Sequence, residues 1–246
     1  MRQIFADCWQ ALLNLIFPTC RCIYCGQESI LNSAGLCHNC QSDLENGKRD
    51  FKSCATCPIF IPVKERYCIN CRRGKEHWFS AAIAVFPYQG EIREVIHDFK
   101  YRGAVKWARL LGSLMGEAVG KDRRFHDINM VIPVPLYESR KKMRGYNQSE
   151  LLAKEIGRGL GLPVTVDNLT RIKDTPSQTG LDKEGRRENL VNAFETLESS
   201  KLQGKNILLV DDIYTTGATV ETCSRILKIG GAKSVFVVTC AAGKRY

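Results

Sequence analysis

Nowhere does the 246-residue chain carry the roughly 18–20 unbroken apolar residues that a membrane-spanning helix requires. It also has no G-x-x-x-x-G-K-[ST] loop. Its Gly-Lys pairs, at 47, 74, 120, 204 and 243, lack both the upstream glycine and the following Ser or Thr, which excludes a P-loop nucleoside triphosphatase. The opening Met-Arg-Gln-Ile-Phe-Ala-Asp-Cys has one arginine, an early acid at Asp7 and no small-residue cleavage site, so it makes a poor secretory signal. There is no low-complexity tract. Cysteine almost vanishes after residue 71: ten of the 12 lie within the first 71 residues, and only Cys223 and Cys240 follow. A uniformly stapled secreted protein would spread them. The expectation is a cytoplasmic protein whose paired cysteines hold metal. Acid is scarce as well. Against 26 Asp and Glu stand 36 Lys and Arg, a net charge of +10 and a pI of about 9.1. That excess disfavours cationic partners and favours polyanions: phosphorylated metabolites, nucleic acid or an acidic protein.

What is present divides into three stretches. Residues 1–19 carry apolar side chains at 4, 5, 8, 9, 12, 13, 16 and 17, a helical period ended by Pro18. This amphipathic helix is expected to pack on its own domain, with a partner or membrane surface as the rival. Residues 20–77 are cysteine-rich and weakly periodic, as short hairpins and turns are. From 78 to 246 strand and helix patterns alternate: strands over 80–88, 129–134, 206–210 and 234–241, and helices over 91–102, 104–119, 147–161 and 217–228. Asn147 is a good N-cap, with Glu150 three residues on as in a capping box, and Gly161 closes that helix. The alternation predicts an α/β domain with an open, mostly parallel sheet flanked by helices. The boundary is placed near residue 77.

The cysteines repeat one module twice. Cys22-x-x-Cys25 precedes Cys37-x-x-Cys40, and Cys54-x-x-Cys57 precedes Cys68-x-x-Cys71. Each C-x-x-C turn can aim two thiolates at one ion, and two turns complete a tetrahedral four-sulfur site, for which zinc is the best fit. A short segment with few large apolar side chains needs such help to fold. Two structural zinc ions are the expectation, against disulfides, iron–sulfur clusters or a redox C-x-x-C. The spacing leaves sequential and crossed pairing open. Cys20 is a substitute ligand, His38 a turn residue, and Cys8, Cys223 and Cys240 ordinary buried thiols.

The strongest signal is Ile207-Leu208-Leu209-Val210-Asp211-Asp212-Ile213-Tyr214-Thr215-Thr216-Gly217-Ala218-Thr219. An apolar strand ends in two carboxylates, a hydroxyl- and glycine-containing turn follows, and then a helix. At the carboxyl end of a parallel strand this is a ligand site. Backbone N–H groups of Thr215, Thr216, Gly217, Ala218 and Thr219 would face a phosphate at the helix N-terminus. The carboxylates would repel that phosphate. Accepting hydrogen bonds from vicinal sugar hydroxyls, with magnesium offsetting charge, gives them a role. At a strand end they are expected to carry no core packing.

This stretch resembles the phosphoribosyl-pyrophosphate (PRPP) loop of type I phosphoribosyltransferases. Four other pieces are Ile96-His97-Asp98-Phe99-Lys100-Tyr101-Arg102-Gly103, Pro133-Val134-Pro135-Leu136, Arg144-Gly145-Tyr146-Asn147-Gln148-Ser149, and Arg187-Glu188-Asn189 with Ala193-Phe194. With these the chain, from about residue 20 onward, resembles the ComF family of competence proteins. The resemblance implies a small N-terminal double zinc ribbon (20–77) and a type I phosphoribosyltransferase fold (78–246). It implies that Asp211 and Asp212 hold ribose hydroxyls, that the turn from Thr215 to Thr219 holds the 5′-phosphate, and that Pro135 and Leu136 face the pyrophosphate. Arg140, Lys141, Lys142 and Arg144 are candidates for clamping pyrophosphate or nucleic acid, and the 171–187 segment for a lid. The implied role is DNA uptake during natural transformation, with PRPP and magnesium, single-stranded DNA and a competence helicase as partners. The alternative is a PRPP-dependent transferase whose acceptor the residues do not name, with no direct nucleic-acid role. Basic residues at 100–109, 121–124 and 140–144, interleaved with Phe99, Tyr101, Trp107, Phe125 and Tyr146, form the expected track for a single strand.

Overall fold

The computed structural model describes residues 20–22, 25, 27–31, 35–46, 51–173 and 193–244. The amphipathic stretch over 2–17, Cys8, most of the proposed lid and the motif at Arg187 lie outside them. The chain forms two compact units, Met1–Asn46 and Gly47–Tyr246.

In the first unit β1 (Cys20–Arg21) and β2 (Glu28–Ser29) pair antiparallel, and α1 (His38–Asn46) comes next. The second unit opens with its own hairpin, β3 (Phe51–Ser53) and β4 (Phe60–Pro62), and a one-turn helix, α2 (Ile69–Arg72). Then come β5 (Ala81–Pro87), α3 (Gly90–Tyr101), α4 (Trp107–Lys121), β6 (Met130–Pro133), α5 (Glu138–Arg144) and α6 (Gln148–Leu160). The remainder is β7 (Leu169–Arg171), β8 (Phe194–Thr196), β9 (Asn206–Tyr214), α7 (Ala218–Ile229) and β10 (Ser234–Ala242).

Four strands form one parallel sheet in the order β5-β10-β9-β6. The continuous apolar run from Ile207 to Val210 is wholly buried, as a central strand covered on both faces must be. β9 runs four residues beyond the apolar run, so the acidic pair sits within the strand and not past its end.

Residues 51–77 are not separate from the sheet. Cys54, Cys57, Ile59, Phe60, Ile61 and Cys68 share a core with Ala82, Ile207, Leu209, Val220 and Leu227. The Ser53 hydroxyl lies 3.4 Å from both the N–H and the carbonyl of Ala84, and the Phe60 N–H donates to the Gly243 carbonyl at 3.1 Å. The sequence places the boundary near 77, where composition changes. In the fold the second cysteine module buries its apolar side chains against the sheet, and the compact units divide at 46.

The Asn147 side chain caps α6 by accepting from Ser149 N at 3.0 Å, and Gly161 ends the helix at a φ of 67°. The capping box itself is not made. Glu150 turns away to Lys154 (2.7 Å) and Lys141 (3.3 Å), because two cations offer a carboxylate more than one backbone N–H does.

Close packing of α6 is testable at two of its glycines. A Cβ on Gly157 would stand 2.3 Å from Val164 Cγ2 and 2.9 Å from the Leu162 carbonyl oxygen, whereas one on Gly159 meets nothing within 4 Å. Gly157→Ala is expected to destabilise the protein by about 1–3 kcal/mol through overpacking. Gly159→Ala is expected to raise stability by about 0.5–1 kcal/mol through helix propensity. Thermal melts of the two variants should move in opposite directions.

Candidate functional site

β9 carries Asp211 level with Thr239 of β10, and carries Asp212 next to it, with Asp212 only 8% exposed. Neither carboxylate is left to water alone. Lys100 Nζ, at the end of α3, lies 2.8 Å from Asp212 Oδ2. Asp211 Oδ1 accepts from the Ser149 hydroxyl at 3.1 Å and from the N–H of Asp212 at 2.9 Å. Burial, and then the adjacent charge of Asp212, push the Asp211 carboxyl up to about 7, against the pull of Lys100, the Asp212 N–H and Ser149. Burial opposes the charge on Lys100 too, but Asp212 and then Asp211 outweigh it and hold that lysine above its ordinary range.

This corrects the expectation that the acidic pair carries no packing role. Asp212 and Lys100 form a buried ion pair, and removing one member strands the other charge. Lys100 and Ser149 both lie within short sequence motifs, yet the sequence marked neither as a partner of the acidic pair. A lysine 112 positions from its aspartate is found only when the helix is docked.

The short motifs converge by stapling to one another. The Phe99 carbonyl accepts from the Tyr146 hydroxyl at 2.5 Å and from Gln148 Nε2 at 3.2 Å. Asn147 Nδ2 donates to the Val134 carbonyl at 3.0 Å, and Val134 N donates to the Val210 carbonyl at 2.8 Å. The end of α3, the 144–149 turn, the chain after β6 and the end of β9 are therefore one hydrogen-bonded unit. Buried Pro135 and half-buried Leu136 come directly after Val134 at the same strand ends.

After β9 the turn through Thr215 and Thr216 reaches Gly217, which caps α7 at a φ of 85°. A Cβ there would fall 2.2 Å from the Tyr214 hydroxyl, so glycine is required both by conformation and by space. The Thr216 hydroxyl accepts from Ala218 N at 3.4 Å, holding the turn open before the helix. Ala218 and Thr219 form the first turn of α7, where backbone N–H groups point out of the helix.

The four basic residues after β6 lie on or at the end of α5 but are not a free clamp. Lys141 faces Glu150 at 3.3 Å and Lys142 faces Glu138 at 3.5 Å, both largely exposed. Arg144 donates to Gln148 Oε1 at 3.1 Å and lies over the Tyr101 ring at 5.0 Å. Arg140 is half-buried. The aromatic track is thinner than the sequence implies. Phe99, Trp107 and Phe125 are core, and Tyr101 is the exposed ring of the five. Lys100, counted with the surface cations, is committed to Asp212.

The cysteines gather in sequential pairs, Cys22, Cys25, Cys37 and Cys40 in one group and Cys54, Cys57, Cys68 and Cys71 in the other, with each set of sulfurs within 4.8 Å. Crossed pairing is thereby overturned. Cys25 and Cys37 sulfurs stand 3.9 Å apart and Cys57 and Cys68 sulfurs 3.6 Å. A disulfide needs about 2.05 Å. Four sulfurs about 2.3 Å from a central zinc would be about 3.8 Å from each other. The two modules also repeat one detail: the third cysteine's N–H donates to the first cysteine's sulfur, Cys37 to Cys22 at 3.4 Å and Cys68 to Cys54 at 3.3 Å. Hydrogen bonds from Cys57 and from backbone N–H groups pull the Cys54 thiol down to about 4 against burial, while Cys57 and Cys71 beside it are pushed up, because four close sulfurs without a cation between them cannot all be charged. Cys223 and Cys240 are buried in the sheet domain, and no described helix is long and apolar enough to cross a membrane.

Comparison with known proteins places these features in context. The phosphoribosyl transferase domain family matches residues 147–246. Competence protein F of Haemophilus influenzae is 32% identical over 221 residues, 88% of this chain and 94% of that protein. The DNA utilization protein YhgH of Escherichia coli O157:H7 is 29% identical over 219 residues, with the same coverage of each. Competence protein ComFC of Bacillus subtilis is 32% identical over 158 residues, 62% of this chain and 60% of that protein.

The raised Asp211 pKa fixes a direction for stability. Folding lifts this carboxyl above the 3.8 of a free aspartate, so its contribution is full below about pH 4 and is lost as pH rises through about 7. Asp211→Asn should flatten that fall. In thermal melts from pH 5 to 8 without ligand, the variant is expected to gain on the parent as pH rises.

Proposed function

The chain belongs to the competence protein F family, and from that premise we propose that it binds PRPP with magnesium and single-stranded DNA, in service of DNA uptake. The observation that carries the PRPP half is the acidic pair of β9, held by Lys100 and Ser149 directly before a glycine turn and a helix N-terminus. In this reading Asp211 and Asp212 accept from the ribose hydroxyls. The N–H groups and hydroxyls of Thr215, Thr216, Gly217, Ala218 and Thr219 hold the 5′-phosphate. Pro135 and Leu136 flank the pyrophosphate, whose charge magnesium offsets. Among the candidate clamp residues Arg144 is the one whose charge acts on Lys100, opposing the charge there. The sulfur separations support zinc in both four-cysteine groups, where its role is to hold the modules folded.

The DNA half rests on the net charge of +10 and on what the relatives are called, a competence protein and a DNA utilization protein. Exposed Tyr101 beside Arg144, with Lys141 and Lys142 on the adjoining helix, supplies a ring and cations on one rim. A competence helicase is the protein partner this role implies. One observation favours the alternative of a PRPP-dependent transferase without a nucleic-acid role: three of the five aromatics in the basic stretches are core.

PRPP with magnesium at a hundredfold excess over its Kd should raise the melting temperature by about 5–10 °C. Asp211→Asn should abolish that shift and keep the fold. It is a better probe than Asp212→Asn, because losing Asp212 leaves Lys100 without its ion-pair partner. An undiminished shift in Asp211→Asn refutes the site.

Single-stranded DNA binding should show little sequence preference and weaken steeply with salt, because neutralised phosphates release counterions. Replacing Lys141 and Lys142 by Glu should lower affinity and reduce the salt slope by about one per lysine. Salt-independent binding, or none at low salt, removes nucleic acid from the function and leaves the transferase reading.

A further inference from the structure

One contact chain in the second unit runs from a cysteine of the four-sulfur group to the turn read as phosphate-binding, through two residues that belong to neither site. It begins at Cys71. The Cys71 sulfur lies 3.3 Å from Nε2 of His77. On the other side of the ring, Nδ1 of His77 is hydrogen-bonded to Oε1 of Glu221. His77 has only 2% of its side chain exposed and stacks on Phe79 at 4.5 Å, so its ring plane is fixed. Glu221 is gripped from the same segment at two further points: Trp78 N donates to Oε2 at 3.1 Å, and Lys75 Nζ lies 3.4 Å from Oε1.

Glu221 is not a remote surface acid. It lies in the first turn of α7, and its N–H donates to the Gly217 carbonyl at 2.8 Å. Gly217 is the residue on which the 215–219 turn pivots. A carboxylate in the first turn of a helix is favoured by the helix dipole. Here it is also partly buried, which costs free energy unless its oxygens are satisfied. The 75–78 segment satisfies them. That segment is held by the cysteine module: Lys75 N donates to the Asn70 carbonyl and Gly74 N to the Cys71 carbonyl, each at 3.1 Å. The path from sulfur to phosphate turn is thus Cys71, His77, Glu221, Gly217, without a gap wider than a hydrogen bond.

We propose that His77 and Glu221 are positioning residues that join the second four-cysteine site to the phosphate-facing end of α7, so that metal occupancy at Cys54, Cys57, Cys68 and Cys71 sets how tightly the 215–219 turn holds a phosphorylated sugar. This rests on the reading of that turn as the PRPP loop. An ion fixes the Cys71 sulfur, the sulfur fixes one ring nitrogen of His77, and the other ring nitrogen fixes the carboxylate at the head of α7. Partners behind metal ligands commonly set metal affinity as well as orientation. Coupling between two binding sites is reciprocal, so sugar binding must strengthen metal binding by the same factor that metal strengthens sugar binding.

The test uses the full chain loaded with zinc. Zinc affinity of the second site, identified by its loss in Cys54→Ser, is measured by competition with a chelator, with and without saturating PRPP and magnesium. The parent should hold that zinc about tenfold more tightly when PRPP is present. Three variants leave all eight ligands in place: His77→Gln, whose amide reaches the Nε2 position, His77→Asn, whose amide reaches the Nδ1 position, and Glu221→Gln. Each should still carry two zinc ions and melt as one transition, yet the PRPP-dependent factor should fall to about one. General loosening of the fold would lower both affinities and leave their ratio standing. A factor of one in a parent that binds PRPP overturns the proposal, and so does a factor that persists in the His77 and Glu221 variants. A parent that shows no PRPP binding by thermal shift is a different outcome. It removes the PRPP reading itself, and with it any ligand for the metal site to be coupled to.

Discussion

Two adjacent carboxylates inside a nearly buried strand are an electrostatic burden, and most of the site's architecture answers it. Water reaches Asp211 only in part and Asp212 hardly at all, so the protein supplies one cation and two neutral donors. Lys100 is brought by α3, Ser149 by the head of α6, and the remaining donor is the backbone of β9 itself. Each must arrive in register, which is why the ends of α3, β6 and β9 and the 144–149 turn are bonded to one another and not merely packed. Lys100 contributes more than neutrality. It stands where an incoming cation would otherwise be drawn, so one of the two carboxylates already has its counter-charge before any ligand arrives.

The cysteine modules solve a different problem with one geometry used twice. A short hairpin and a short helix bury too little apolar surface to hold a fixed shape. Four converging sulfurs replace the missing core, and the repeated N–H to sulfur bond in each module orients the ligands. The second module then goes further than the first motif alone implies. Ile59, Phe60 and Ile61 lie between its C-x-x-C turns and pack under the sheet. One surface of the module therefore carries the four sulfurs and another is part of the larger domain's interior.

Local patterns were readable in the sequence, and their mutual placement was not. The run Ile207 to Val210 announces a central strand because only a strand covered on both faces is apolar at every position. Asn147 and Gly161 announce the ends of α6 because caps are local chemistry. Cysteine spacing announces two metal sites because ligand reach is short. Sequential pairing, by contrast, depends on how the hairpins fold, and the partners of Asp212 and Glu221 lie more than a hundred residues away. Phe99 and Trp107 read equally well as stacking platforms or as core, since an aromatic beside a lysine carries no mark of which way its helix faces. The Glu150 capping box failed for a similar reason: the pattern is blind to Lys141, on another helix, competing for the same carboxylate.

The strand order has a consequence for how the domain comes into being. β10 lies between β5 and β9, yet of these three it is the last to be synthesised. Until Ser234–Ala242 has left the ribosome, β5 and β9 have no strand between them, and each presents an apolar ribbon with unpaired N–H and carbonyl groups. The large domain is therefore committed to folding after translation of its centre and not along the way, and a nascent chain stalled before residue 234 exposes adhesive edges. The first cysteine module, made much earlier and compact by itself, is under no such constraint and can fold while the sheet is still incomplete.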